Sequence, residues 1–332
     1  MRILAIESSC DETAASVVED GRRVLSNVIS SQVEVHAEFG GVVPELAARH
    51  HLDAIGHVVQ KALNNAHVTL DDIDLITATQ GPGLMGALLC GFCFAKSLAW
   101  TKKIDFIGTD HLEGHLLSVL LLDSLPPFPY VALLASGGHT AIYYVTSPTE
   151  FEKMGQTLDD AAGEAYDKVS KAMGMGYPGG KQIDELAKAG NPTKIQFPRT
   201  YLDKDKFNFS FSGIKTAVNR YIETCEDLDK EKADICAGFQ EAVIEVLSHK
   251  LLHAAEVKNC RNICVVGGVA ANQGLQKYLT AEVEKRGWKL YVPPVSLCGD
   301  NAAMMTVSAY YRYEKGERTC LFADTYSRQR HT

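Results

Sequence analysis

A chain of 332 residues with 46% hydrophobic and 22% charged residues has the composition of a globular protein and is long enough for two domains of ordinary size. Its formal net charge of −8 excludes a broad polybasic surface for nucleic acid, and no apolar run approaches the roughly 18 residues of a membrane span. The opening MRILAIESSCDE places acid directly after a strand-like run, unlike a signal or transit peptide. Nine scattered cysteines, several within apolar runs, fit a reduced cytoplasmic chain that uses thiols as small core residues.

In chain order, MRILAIESS and TAASVVED read as strands, Asp20-Gly21 as a hairpin turn and RRVLSNVIS as the returning strand. A loop from Phe39 to Val43 leads into the helix PELAARHHLDAIGHVVQKAL, whose Leu52, Ile55, Val59, Ala62 and Leu63 share one face. The strand DLITATQ, a Gly81-Pro82-Gly83 loop, the apolar helix ALLCGFCFAKSLAW and the strand IDFIGTD follow. Cys90 and Cys93 form a C-x-x-C in that helix; no second C-x-x-C completes a zinc site, so core packing is expected.

LPPFPY is a proline-rich connector, and from about Tyr130 the pattern restarts with YVALLAS, the tight turn SGGHT and the strand TAIYYVT. A long helix over about 234–258, the strand NICVV, Gly267-Gly268, a helix from about Ala271, the strand KLYVPP and a final helix from about Asn301 complete the chain. Alternating elements with a repeated opening hairpin predict two related α/β lobes. Ligands are expected at the C-terminal strand ends, in a cleft between the lobes.

Three loops have phosphate-cradling chemistry: Ser136-Gly137-Gly138-His139-Thr140, Gly267 to Asn272, and GMGYPGG from Gly174 to Gly180. The second runs into a helix start, where a phosphate or ribose could sit. Each alone reads as a tight turn; the three together point to a nucleotide-type ligand. Neither a P-loop nor a G-x-G-x-x-G is present.

Two H-x-x-x-H pairs occur. His111 and His115, in HLEGH, stand at the end of the strand IDFIGTD and suit metal ligation, whereas His249 and His253 are expected on a solvated helix face. Asp300, in LCGDN, is the expected third ligand, with helix N-capping as its alternative role. Glu113 holds the third place of HLEGH rather than the place after the first histidine, so the zincin motif does not apply. In TLDDAAGEAYDKVSKAM, Asp160, Glu164, Asp167 and Lys171 share a face that spacing alone reads as solvated, with an Asp167–Lys171 pair, while Leu158, Ala162, Ala165, Val169 and Ala172 share the other.

Taken in order from residue 7 to residue 305, ESSCDETA, HAEFGGVVPELAARHH, HLEGH, ASGGHT, GYPGG, FSFSGIKTAV, VVGGVAAN and CGDNAAMM resemble the tRNA N6-adenosine threonylcarbamoyltransferase family. That family is also called the O-sialoglycoprotein endopeptidase or glycoprotease family. The resemblance covers nearly the whole chain. It implies a two-lobed actin-like ATPase fold with duplicated core lobes, here 1–109 plus about 306–332 and 110–305. It implies transfer of threonylcarbamoyl from threonylcarbamoyl-AMP to the exocyclic N6 amine of the adenosine just 3′ of the anticodon, in tRNAs reading codons that begin with A.

By the same resemblance, His111, His115 and Asp300 would hold one divalent metal ion per subunit, iron(II) ahead of zinc(II). Leu134, Ala135, Ser136, Gly137, Gly138, Asp167, Gly180, Asp184 and Asn272 would hold the adenylate donor. Implied partners are tRNA, an inactive actin-like paralogue and a small P-loop ATPase, with no membrane. No residue is assigned as catalytic base. Lys181 departs from the family's usual proline, and His36 has no assigned role. Cations at 199, 204, 206, 215 and 220 around Phe207, Phe209 and Phe211 could make a local tRNA patch, although alternating Phe is more often a buried strand face. A metallopeptidase, a sugar or small-acid kinase and a nucleotide-binding scaffold without catalysis are the competing readings.

Overall fold

In the computed structural model, which describes residues 1–201 and 206–328, the chain opens with β1 (Arg2–Glu7), β2 (Glu12–Glu19) and β3 (Arg23–Ser31). Asp20 and Gly21 both take positive φ, 53° and 62°, the left-handed backbone that makes such dipeptides good turns. Helices α1 (Val33–Ala37) and α2 (Pro44–Asn65), strand β4 (Leu75–Gly81), α3 (Met85–Lys102), β5 (Asp105–Asp110) and α4 (His111–Leu117) follow. The sheet order is β3-β2-β1-β4-β5, antiparallel from β3 to β1 and parallel from β1 to β5. Both faces of β1 are covered: Ile3, Leu4, Ala5, Ile6 and Glu7 have no exposed surface.

The second unit contains β6 (Tyr130–Ala135), β7 (Thr140–Ser147), β8 (Glu150–Gln156), α5 (Ala162–Ala172), α6 (Gly179–Ala187), α7 (Ser212–Thr224) and α8 (Leu228–Val257). It continues with β9 (Asn262–Val266), α9 (Gln273–Arg286), β10 (Lys289–Tyr291) and α10 (Val295–Cys298), and α11 (Ala303–Glu314) returns to the first unit. Its sheet reads β8-β7-β6-β9-β10, again antiparallel then parallel. The expected duplication of core lobes is therefore one of whole sheet topology. β8 was not expected from the sequence, because EFEKMGQ is a mostly exposed edge strand with little apolar alternation.

The units are Met1–Leu125 with the chain from Gly299 on, and Pro126–Cys298. The first break falls in the proline connector rather than at 109/110, and the second at 298/299 rather than 305/306. Asp110 caps α4 directly after β5, and α11 packs on β1, β5 and α4, so both segments belong to the first core. Among the described residues, no helix is long and apolar enough to cross a membrane.

Three side-chain expectations change. Leu52 is 65% exposed; the buried stripe of α2 runs through Ala47, His51, Ile55, Val58 and Ala62, and His51 occupies the inward place. There the His51 ring meets Thr13 Oγ1 at 2.8 Å and the Cys10 carbonyl at 3.0 Å, tying α2 to the loop after β1. Cys90 is half-buried and Cys93 exposed, so this C-x-x-C is not core. Leu158 is 64% exposed, because it precedes α5 instead of lying on it.

Gly267 is required twice over. Its φ is 90°, and a Cβ would overlap the Ala135 carbonyl at the end of β6. Gly267→Ala should therefore cost about 2 kcal/mol or more, measured as a lower denaturant midpoint. Gly268→Ala, with nothing within 4 Å of the added Cβ, should leave the midpoint nearly unchanged.

Candidate metal centre and phosphate loops

The C-terminal ends of β1, β4 and β5 lie side by side, with Ile6 paired to Ala78 and Gly81 to Asp110. His111 opens α4 immediately after β5. Asp110 is its N-cap, Oδ1 accepting from the Leu112 and Glu113 amides at 2.8 and 3.1 Å, while Oδ2 accepts from the Tyr326 hydroxyl at 2.7 Å. One helical turn sets His111 and His115 edge to face, with ring centroids 4.8 Å apart. The glycine of HLEGH has a packing reason: a Cβ at Gly114 would stand 2.6 Å from Met305 Sδ. Its absence lets α11 lie against α4 and brings Asp300 to the histidines.

Asn301, not Asp300, caps the following helix start, its Oδ1 accepting from the Met304 amide at 3.1 Å. Asp300 Oδ1 lies 3.0 Å from His115 Nε2 and 3.6 Å from His111 Nε2. One ligand atom from each of the three residues lies within 4.8 Å of the others. Donors about 2.1 Å from a common ion would stand ~3.0 Å apart at right angles and ~3.4 Å apart at the tetrahedral angle, so the two Asp300–histidine spacings suit a shared divalent ion.

Charge at the site points the same way. Burial works against protonation of His111, yet Asp300 and Glu7 push its pKa up to about 9. Burial likewise works against ionisation of Glu7, but His111, 3.2 Å from Glu7 Oε2, holds the carboxyl below its ordinary value. Burial, Asp11 and Asp300 push half-buried Glu12 up to about 10. Glu7 and Asp300 are the carboxylates that meet the two imidazoles, and the push on Glu12 toward its neutral form reflects the negative charge gathered nearby, which a cation would relieve. Glu113 is turned to α11, accepting from Ser308 Oγ at 3.0 Å, and burial pushes it up to about 7.

In the second unit the parallel pairing Leu134–Val266 places the loops after β6 and β9 together. Leu134 and Ala135 have no side-chain exposure, so only their backbone could meet a ligand; Ser136 is nearly buried, and Gly137 and Gly138 are exposed. Nothing lies within 4 Å of a Cβ built on Gly137, Gly138, Gly180 or Gly268, so all four present open backbone. Gly163, at the start of α5, abuts the Ser136 carbonyl. Farther along α5, Asp167 Oδ1 accepts from the Gly179 amide at 2.7 Å, where the sequence had suggested pairing with Lys171. Lys168 pairs with Asp160 and Glu164 on that face.

The start of α9 differs from expectation. Its Gln273 amide donates to Asp184 Oδ2 at 3.0 Å and its Leu275 amide to Asn272 Oδ1 at 2.8 Å, so side chains already take the amides a phosphate would use. Gln240, which the sequence did not single out, joins the two: its Nε2 donates to Asp184 Oδ1 at 3.0 Å and its Oε1 accepts from Asn272 Nδ2 at 2.7 Å. A buried glutamine in mid-helix leaves no periodic signal.

Other expectations resolve as structure. His249 is exposed and His253 half-exposed, their rings against Tyr201 and Phe207. His36 is fully buried, meeting Gln32 Oε1 at 3.2 Å and accepting from the Val43 amide at 3.3 Å, and so staples the loop before α2. Phe209 and Phe211 are core residues with stacked rings, although only Phe209 makes a strand-like bridge. Lys215 pairs with Asp160 at 2.7 Å and Arg199 is bidentate on Glu245, Arg220 is exposed, and Lys204 lies outside the described residues. An open groove of about 850 Å³ between α2 and α3, lined by Leu52, Gly56, Leu89, Cys90 and Cys93, contains none of the site residues.

The chain matches the family described as TsaD, tRNA N6-adenosine threonylcarbamoyltransferase, over residues 23–307. It is 53% identical to a protein of that name from Desulforapulum autotrophicum, over 99% of both chains. It is 52% identical to one from Desulfotalea psychrophila, over 99% of this chain and 97% of that protein. The chain belongs to the tRNA N6-adenosine threonylcarbamoyltransferase family. Among solved structures it resembles full-length HypF in a phosphate- and nucleotide-bound form, with TM-score 0.65, 13% identity and coverage of 95% of this chain and 46% of that one. It also resembles component A of the Acidaminococcus fermentans (R)-2-hydroxyglutaryl-CoA dehydratase, with TM-score 0.56, 17% identity and coverage of 95% and 98%. These likenesses give the actin-like ATPase fold.

Because folding raises the pKa of His111, the stability it contributes is fully present below its ordinary value near 6.5 and is lost as pH rises through about 9. Glu12, raised to about 10, acts in the same direction over that window. The thermal midpoint of the metal-free protein should therefore fall between pH 6.5 and 9. Saturating zinc should flatten the dependence, because a bound cation replaces the proton.

Proposed function

We propose that the chain transfers a threonylcarbamoyl group from threonylcarbamoyl-AMP to the N6 amine of the adenosine just 3′ of the anticodon, in tRNAs that read codons beginning with A. The observation that carries the reading is the convergence of His111, His115 and Asp300, in a chain about half identical to transferases of that name. A C–N bond forms at the carbamoyl carbon, the C–O bond to phosphate breaks, AMP leaves as an anion and the amine gives up one proton. The donor is a mixed anhydride already activated at its carbonyl, so the protein's task is to orient it and stabilise developing negative charge.

His111, His115 and Asp300 would hold one divalent ion per subunit, iron(II) ahead of zinc(II), which when bound supplies Lewis-acid polarisation of an oxygen. Gly137 and Gly138 offer N–H groups to the adenylate phosphate, held out by Leu134 and Ala135 at the end of β6 and by Ser136, whose own amide donates to the His139 carbonyl at 2.8 Å. Asp184, which already accepts from α9, repels phosphate and suits ribose hydroxyls, with Asn272 beside it. Asp167 fixes the Gly179-Gly180 corner, where the exposed Lys181 replaces the family's usual proline and adds a cation. By family resemblance the reaction takes place in the cytoplasm, with an inactive actin-like paralogue and a small P-loop ATPase. Peptidase chemistry is disfavoured by the placement of Glu113 against Ser308.

The test is transfer of labelled threonine from pre-formed threonylcarbamoyl-AMP to tRNA with partners present. His111→Ala should lose most of the transfer; full retention would remove the metal from the reaction. Gly138→Ala should keep the wild-type thermal midpoint, because its Cβ meets nothing within 4 Å, while the KM for the donor rises several-fold. An unchanged KM would move the phosphate elsewhere.

A further inference from the structure

We infer that Glu7 is the positioning residue of the metal centre, fixing the ring orientation and tautomer of His111. The inference rests on the metal-site reading above. Glu7 closes β1 and has no exposed surface. Its Oε2 lies 3.2 Å from His111 Nδ1 and also accepts from Thr79 Oγ1 of β4, while its Oε1 accepts from the Ser9 amide at 2.5 Å. The carboxylate is thus pinned from two sides and cannot swing away from the imidazole.

The consequence follows from imidazole chemistry. A neutral histidine carries one ring proton, and a nitrogen that binds a metal must be the bare one. An ionised carboxylate only accepts, so Glu7 keeps the proton on Nδ1 and leaves Nε2 bare, aimed toward Asp300. Ser9 Oγ also lies 3.2 Å from Nδ1, but a hydroxyl can donate or accept and cannot enforce the tautomer alone. A carboxylate behind a ligating histidine also raises the basicity of the ring. His115 has no such support: its Nδ1 is buried without a hydrogen-bond partner among the described residues. Of the two histidines, His111 is therefore the pre-oriented ligand.

The experiment is a Co²⁺ titration of the full-length metal-free protein, followed by its visible d–d bands and by competition with a chromophoric chelator. Glu7→Gln, similar in size but uncharged, should bind Co²⁺ 10–100-fold more weakly and with altered bands, while circular dichroism confirms the fold. Thr79→Val, which removes one pin, should lose affinity by several-fold. If Glu7→Gln merely lowers the thermal midpoint while its folded fraction binds Co²⁺ with wild-type affinity and spectrum, Glu7 is only a structural ion-pair partner and the inference fails. If Glu7→Gln does not fold, Thr79→Val decides: wild-type affinity there overturns the inference. A His111→Ala control that still binds Co²⁺ normally would instead overturn the metal site itself.

Discussion

A carboxylate buried completely at the end of a central strand must be compensated, since an unpaired buried charge costs several kcal/mol. Glu7 meets that demand by drawing three donors to one point, from the Ser9 amide, from Thr79 on β4 and from His111 at the start of α4. The requirement ties three neighbouring strand ends to one charge. Asp110 then sets the direction of α4, the bare edge of Gly114 admits α11, and Asn301 takes the capping duty that would otherwise occupy Asp300. The convergence of ligands is the last step of a packing sequence that begins with one buried acid.

The two sheets share a topology and use it differently. Parallel strands gather loops at their C-terminal ends in both units. In the first unit those ends are charged, and the hydrogen bonds hold side chains in place. In the second they are glycines whose backbone is open, flanked by a helix start that Asp184 and Asn272 already satisfy. Charged side chains of that kind suit a cation, and open glycine backbone suits an anion or a hydroxyl-bearing group.

Much of this was legible in the sequence, for identifiable reasons. Strands buried on both faces, such as those ending at Glu7 and Asp110, are short apolar runs with turn residues behind them, and the i, i+4 spacing of His111 and His115 is fixed by the helix. Local pattern, however, does not say which of two neighbouring positions on a helix faces inward, so Leu52 and His51 exchanged roles. It does not reveal partners distant in the chain, so Gln240 and the pinning of Glu7 stayed hidden. Nor does it mark an edge strand such as β8, whose polar residues satisfy no periodicity. The Asp167–Lys171 spacing was a sound local expectation, but the Gly179 amide offered Asp167 a tertiary partner that helix spacing cannot anticipate.

The charge distribution constrains how such a chain could engage tRNA. A cation contributes to phosphate binding chiefly by displacing counterions condensed on the nucleic acid, and one already paired with a protein carboxylate must give up that pair to do so. Lys215 and Arg199 are neutralised in this way by Asp160 and Glu245, so recruiting either would break an existing pair for little net gain. Phe209 and Phe211 line the core, and Lys215 and Arg199 tie the flanking chain to the turn before α5 and to α8. With a net charge of −8 on the chain, Arg199 and Lys215 add little to sequence-independent affinity for tRNA, whereas Arg220 is exposed.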